Sequence, residues 1–222
     1  AGVTINLSNQ SEGFTVIGST KNDIITGGAG ADNIDGGAGD DTINGFTAGD
    51  TVDGGAGTDT LVLTASLPGT PADNQIVNIE TINASTAAAG VDIDLSKQTE
   101  AITVIGSAQN DTITGGAGAD NIDGGAGNDT IVGFTAGDTV NGNVGTDTLK
   151  IVAPADAGAI SGAADGDIKN IENIDASAAT GAITLNLSVQ SEAFTVVGSN
   201  FADTITGGAG ADNIDGGAGN DT

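Results

Sequence analysis

A period of nine residues constrains this chain more than any other feature. Residues 27–35 read GGAGADNID, 36–44 GGAGDDTIN, 45–53 GFTAGDTVD and 54–62 GGAGTDTLV, after a degenerate first copy, GSTKNDIIT, at 18–26. The same five-part scheme returns over 106–150, and GSNFADTIT, GGAGADNID and GGAGNDT follow from 198 onward. Position six is always Asp: Asp23, Asp32, Asp41, Asp50 and Asp59, then Asp111, Asp120, Asp129, Asp138 and Asp147, then Asp203, Asp212 and Asp221. Position eight is always aliphatic, from Ile25, Ile34, Ile43, Val52 and Leu61 through Ile113, Ile122, Ile131, Val140 and Leu149 to Ile205 and Ile214.

Nine is not a multiple of a helical turn, and 38 glycines in 222 residues would ruin a helix. Six turn-like residues followed by three strand-like ones make half a coil, and two halves close a coil of 18. Stacked coils form a parallel β-solenoid with strands about 4.8 Å apart. Position eight then points inward as a ladder, and glycines at positions one, two and four are expected to take the positive φ of a tight turn. The expected class is all-β, one continuous rod of roughly a dozen rungs, about 55 Å long.

A longer repeat encloses the short one. AGVTINLSNQSEGFTVIGS at residue 1 returns as AGVDIDLSKQTEAITVIGS at 89 and as GAITLNLSVQSEAFTVVGS at 181. This divides the chain into units 1–88 and 89–180 and an incomplete unit 181–222, and it reads as a segment of something longer. Stretches 63–75 and 151–167 differ most and hold Pro68, Pro71 and Pro154, so they read as variable surface loops. Val91–Leu95 alternates with period two, and Phe14–Val16 and Ile102–Val104 suit strands. Ile76, Ile79 and Ile82, like Ile168, Ile171 and Ile174, recur every three residues, read here as two short strands with a corner.

Composition excludes several functions. The chain has no His or Cys, hence no Ser-His or Cys-His nucleophile pair and no soft-metal site. Four lysines against 30 acids give a net charge of −26 and no basic footprint for nucleic acid. No apolar run is long enough to span a membrane, and no N-terminal signal peptide is visible. The conspicuous carboxylates all belong to one register, so no separate acid/base pair stands out and no enzyme is expected. Stacked coils would bring an Asp above an Asp every 18 residues, and like charges that close repel. A hard divalent cation reverses the sign. Calcium accepts six to eight oxygens in irregular geometry, whereas magnesium demands an octahedron and keeps its waters.

With these residues the chain resembles the RTX, or haemolysin-type, calcium-binding nonapeptide repeat family, with consensus G-G-x-G-x-D-x-U-x, best over 27–44, 115–132 and 207–222. The resemblance implies a right-handed parallel β-roll with Ca²⁺ between turns n and n+2 on both sides. It implies the position-six Asp as ligands, with backbone carbonyls of positions one to four. Those are Gly27, Gly28, Ala29 and Gly30; Gly36, Gly37, Ala38 and Gly39; Gly115, Gly116, Ala117 and Gly118; Gly124, Gly125, Ala126 and Gly127; Gly207, Gly208 and Gly210; and Gly216, Gly217 and Gly219. Carried over, the sites pair Asp23 with Asp41, Asp32 with Asp50, Asp41 with Asp59, Asp111 with Asp129, Asp120 with Asp138, Asp129 with Asp147 and Asp203 with Asp221. That makes roughly seven Ca²⁺. GFTAGD at 45–50 and 133–138 lacks two of the glycines, and the GS turns at 18, 106 and 198 lack more. Asp35, Asp53, Asp123 and Asp215 at position nine face outward or serve as accessory ligands.

The connecting stretches look like those of RTX-bearing bacterial S-layer proteins and giant adhesins. The expected function is therefore a calcium-dependent structural protein of the bacterial cell surface or matrix, an S-layer, adhesin stalk or filament. The expected partners are copies of itself and cell-surface polysaccharide. The resemblance also implies type I secretion, with folding on calcium outside the cell. A non-catalytic folding module of a secreted enzyme or toxin, and a ligand-binding adhesin, are the alternatives. A regular Thr ladder for ice binding does not follow, because the third turn position is usually Ala. Sequons at Asn6, Asn83 and Asn186 arise readily by chance in such a composition.

Overall fold

In the computed structural model, which describes all 222 residues, each nonapeptide turns over its first six residues and runs straight over its last three. The first half of the chain holds β1 (Thr4–Asn6), β2 (Thr15–Ser19), β3 (Ile24–Thr26), β4 (Asn33–Gly37), β5 (Thr42–Asn44), β6 (Thr51–Asp53), β7 (Thr60–Val62), β8 (Ile76–Val77), β9 (Thr81–Asn83), β10 (Asp92–Asp94) and β11 (Thr103–Ile105). The second half holds β12 (Thr112–Thr114), β13 (Asn121–Asp123), β14 (Thr130–Val132), β15 (Thr139–Asn141), β16 (Thr148–Lys150), helix α1 (Pro154–Gly162), β17 (Ile168–Lys169), β18 (Asn173–Asp175), β19 (Thr184–Asn186), β20 (Thr195–Val197), β21 (Thr204–Thr206) and β22 (Asn213–Asp215).

Every pairing is parallel, between strands two apart in sequence. Odd-numbered strands form one face, a nine-stranded sheet from β1 to β17 and the pair β19–β21. Even-numbered strands form the other, β2 to β8 and β10 to β22. This is the parallel β-solenoid the period demands, all-β but for one short α-helix and a single 3-10 turn at Asp73–Gln75. The register follows position eight: Ile25 pairs with Ile43, Ile43 with Leu61, Leu61 with Ile82 and Ile82 with Val104. These central residues are sealed from solvent, and the core is one cluster of 38 side chains running through all three repeats. The isoleucine triplets are short strands with a corner, as expected. Asn78 and Asn170 make the corners at φ 50° and 51°, a conformation Asn tolerates better than most residues.

The stretches read as surface loops are built differently. Leu63 and Leu67 are buried, and Leu67 N–H donates to Asp92 O at 2.9 Å, beside β10. Residues 154–162 form α1, with Ala157 and Ile160 fully buried. Pro154 opens it, and the Asp156 carboxylate accepts the N–H groups of Val152 and Ala153 at 2.8 and 2.9 Å. Alternation breaks here because α1 packs beside β19, where Ser161 Oγ accepts the Asn186 N–H at 2.8 Å. A glutamine clips each insert: Gln98 and Gln190 donate Nε2–H to Pro71 O and Ala163 O, both at 3.0 Å.

Residues 1–88 contribute nine strands and residues 89–180 another nine. Nine is odd, so corresponding strands change faces. β1 lies on the odd face, its counterpart β10 on the even face, and β19 on the odd face again.

Candidate metal centre

The turns at each edge stack their position-six carboxylates into columns. In every one of the seven expected pairs, the N–H of one Asp donates to Oδ1 of the Asp 18 residues later. The distances run from 2.7 Å for Asp23 with Asp41 to 2.9 Å for Asp203 with Asp221. Eleven of the thirteen Asp are buried; Asp212 and Asp221, near the C-terminus, are half-buried. Their partners are backbone N–H groups and Ser or Thr hydroxyls, not lysines. Two carboxylates about 4.8 Å apart repel by about 3.5 kcal/mol at an effective dielectric of about 20. A hydrogen bond to a charged group returns about 1.5–3 kcal/mol. The columns alone therefore roughly cancel, and burial tips them against folding with every Asp ionised.

The turns are of two kinds, and each kind moves to the opposite edge in the next repeat, as its strands do. In one kind of turn, at 36–41, 54–59, 124–129 and 142–147, the second carboxylate oxygen has no partner: Oδ2 of Asp41, Asp59, Asp129 and Asp147 is buried and orphaned. Burial, more than any neighbour, pushes these four carboxyls above the usual range, Asp129 to about 6. Positions two and four take positive φ here, as at Gly37 (101°) and Gly39 (120°) or Gly125 (98°) and Gly127 (124°), and Asn143 (65°) fills position two in the fourth turn. Gly217 and Gly219 do the same near the C-terminus. Position one does not. It is glycine because oxygens converge on it: a β-carbon on Gly36 would sit 2.5 Å from Asp41 Oδ2 and 2.6 Å from Gly54 O. The Gly54 carbonyl accepts no hydrogen bond from the protein, whereas Gly37 O and Ala56 O already accept the Ala56 and Gly39 N–H groups of adjacent coils.

In the other kind, at 27–32, 115–120 and 207–212, Oδ2 is already satisfied by its own turn. Gly28, Gly116 and Gly208 N–H donate to Asp32, Asp120 and Asp212 at 2.7, 2.8 and 2.7 Å. None of Gly27, Gly28, Gly30, Gly115, Gly116, Gly118, Gly207, Gly208 or Gly210 has positive φ, which corrects the expectation for these turns. Their glycines serve close stacking instead, since a β-carbon on Gly30 would meet Glu12 C at 2.3 Å. Above them, the GFTAGD turns put positive φ at Gly45, Gly49, Gly133 and Gly137, and Thr47 and Thr135 N–H satisfy Oδ2 of Asp50 and Asp138 at 2.6 Å.

The GS turns close on their own Asp through serine. Ser19, Ser107 and Ser199 donate both N–H and Oγ–H to Asp23, Asp111 and Asp203. For Asp23 the Val3 N–H dominates, and its pKa is held below the usual range; Asp203 lies low too, its hydrogen bonds outweighing burial. At position nine, Asp53 and Asp215 cap the next turn by accepting the Gly55 and Gly217 N–H groups at 3.0 Å. At the far end of two columns the partner is a glutamate outside the nine-residue register. Asp59 N–H donates to Glu80 Oε2 at 2.7 Å, and Asp147 N–H to Glu172 Oε2 at 2.8 Å.

Orphaned carboxylate oxygens, free carbonyls and a glycine frame fit a hard cation taking mixed oxygen ligands. No three acidic side chains cluster, so backbone oxygens must complete any such shell. A solenoid carrying this edge belongs to the class of calcium-binding β-rolls. The family model for the RTX calcium-binding nonapeptide repeat matches residues 15–43, 31–61, 103–131, 120–149 and 195–222. These segments cover more than half of the chain, which belongs to that family and is a calcium-binding repeat protein. Such repeats are typical of proteins secreted by type I systems, and no helix here is long and apolar enough to cross a membrane. No curated protein matches the chain.

Proposed function

We propose that this chain is a non-catalytic structural rod of the bacterial cell surface or extracellular matrix, folding on calcium after export and acting as a lattice, stalk or filament element. The observation that carries the reading is the single core continued through all three repeats, with its buried orphan carboxylates along the edges. In low calcium, a net charge of −26 and buried repelling carboxylates favour the expanded chain. Outside the cell, repeats of extracellular affinity, about 10⁻⁴–10⁻³ M, load and close the coils. Asp41, Asp59, Asp129 and Asp147 would offer Oδ2 to the ion, and position-one carbonyls such as Gly54 O would join them. Calcium supplies charge neutralisation; the glycine frame supplies the close approach.

Size-exclusion chromatography with light scattering, first in chelator and then in about 5 mM Ca²⁺, tests this reading. Contraction on adding calcium is expected. Growth into large assemblies marks a lattice or filament, and a compact monomer marks a stalk. An expanded chain of unchanged size in calcium overturns the reading.

A further inference from the structure

We infer that the two Asn-Ile-Glu corners, Asn78–Glu80 and Asn170–Glu172, build two further calcium sites where the nonapeptide blocks meet the connectors, with Glu80 and Glu172 standing in for the position-six Asp. The inference deepens the calcium reading above and rests on it. Neither glutamate lies in a nonapeptide, and the corner has three residues where the repeat turn has six.

Three observations converge at each corner. The ion-facing atoms are already in place: Oδ2 of Asp59 and of Asp147 is buried and without a partner, and both residues are fully shielded from solvent. A backbone oxygen converges with each one on the same glycine. A β-carbon on Gly54 would lie 2.0 Å from Asn78 O and 2.7 Å from Asp59 Oδ2, and one on Gly142 would lie 2.2 Å from Asn170 O and 2.5 Å from Asp147 Oδ2. Neither Asn carbonyl accepts a hydrogen bond from the protein. Within a block the same construction is made by Gly36, Gly54 O and Asp41 Oδ2, so the corner asparagine takes the place of the next glycine. Its φ near 50° makes that substitution possible, and its amide is anchored at position nine by Asp53 or Asn141. The glutamate then supplies the second carboxylate. One of its oxygens accepts the Asp N–H, as Oδ1 of the next Asp does inside a block. That bond accounts for an acceptor at each corner but not for a second negative charge bonded to a residue whose own carboxylate oxygen is buried and unpartnered, a charge that a cation would offset.

Equilibrium dialysis of the full chain against calcium alone, comparing wild type with Glu80→Gln/Glu172→Gln, tests the inference. Glutamine keeps an oxygen for the Asp59 and Asp147 N–H groups and removes only the charge. Two ions fewer per chain, with the far-ultraviolet β signature kept, is the expected result. An unchanged number bound with an unchanged calcium midpoint rejects the corner sites and leaves the nonapeptide sites standing. No uptake by wild type rejects the calcium reading and the corner sites with it. If the variant is unfolded in about 5 mM calcium, its folding midpoint decides. Recovery at about tenfold higher calcium upholds a weakened metal site, whereas no recovery rejects it and leaves the glutamates as hydrogen-bond acceptors only.

Discussion

The Asp41–Asp59 edge and the Asp32–Asp50 edge of the first repeat differ by little in sequence and much in chemistry. Both stack carboxylates at the same interval through the same N–H to Oδ1 bond. On the first edge the second oxygen is left buried and bare; on the second it is capped by Gly28 or Thr47 N–H. Oxygens also crowd position one more closely on the first edge. A β-carbon on Gly36 would lie 2.5 and 2.6 Å from its two oxygens, against 3.0 and 3.4 Å for one on Gly27. A cation gains most where a carboxylate lacks any other partner. Presence of the motif therefore does not make every turn an equal site, and the unspent oxygen is the better guide.

The largest expected effect comes from removing charge from one kind of turn at a time. Asp41 and Asp129 each belong to two stacked pairs, so Asp41→Asn/Asp129→Asn should lose about four calcium ions if one site lies between each pair of turns. Its calcium folding midpoint should rise more than tenfold. Asp32→Asn/Asp120→Asn touches one pair in each repeat, where the second oxygen is already capped, and should lose two ions at most. Calorimetric titration of both variants reads the difference, and equal losses would erase the distinction between the two kinds of turn.

A steric comparison comes next. Gly54→Ala places a methyl group 2.0 Å from the Asn78 carbonyl, at a residue with no slack, and should destabilise the calcium-loaded rod by about 1–3 kcal/mol or more. Gly27→Ala meets its nearest atom, the Asp32 carboxylate, at 3.0 Å and should cost less than about 1 kcal/mol. Thermal unfolding in saturating calcium ranks the two.

The smallest effect is on pH dependence. Burial raises the folded-state pKa of Asp129 to about 6 from 3.8, so the calcium-free fold binds more protons than the unfolded chain. That contribution is complete below the unfolded pKa and is lost as pH rises through about 6. The calcium-free chain should therefore gain β structure as pH falls from 7 toward 4. Calcium, competing with the proton, should bind more weakly below about pH 6. In Asp129→Asn both trends should shrink, measured by circular dichroism against pH with and without chelator.

Much of this molecule was legible in the nine-residue period. The pairing of Ile25 with Ile43 and Leu61 and the stacking of Asp23 on Asp41 follow from a register with no freedom to slip. Helix α1 was hidden because PADAGAISG has the small-residue composition of a loop, and its two buried residues become core only when β19 arrives. The two kinds of turn were hidden for another reason. GGAGAD and GGAGND differ only at position five, and the coil beneath decides the conformation. Gly28 and Ala29 sit on Gln10, in an irregular turn, whereas Ala38 bonds to Ser19 and continues a bridge to Ala56. Glu80 and Glu172 escaped notice because they lie outside the repeating register and meet it only in space.

The odd number of strands per long repeat has a consequence for how such a protein can change length. Because nine strands make four and a half coils, inserting or deleting one repeat turns everything downstream through half a revolution, and changing the number by two restores it. The insert at 63–72 beside β10 and helix α1 beside β19 occupy corresponding places in successive repeats yet emerge on opposite flanks. A tandem array of this design is a two-sided surface written with a one-sided text. Recombination that copies repeats in pairs preserves which flank each feature serves, and recombination that copies a single repeat exchanges them.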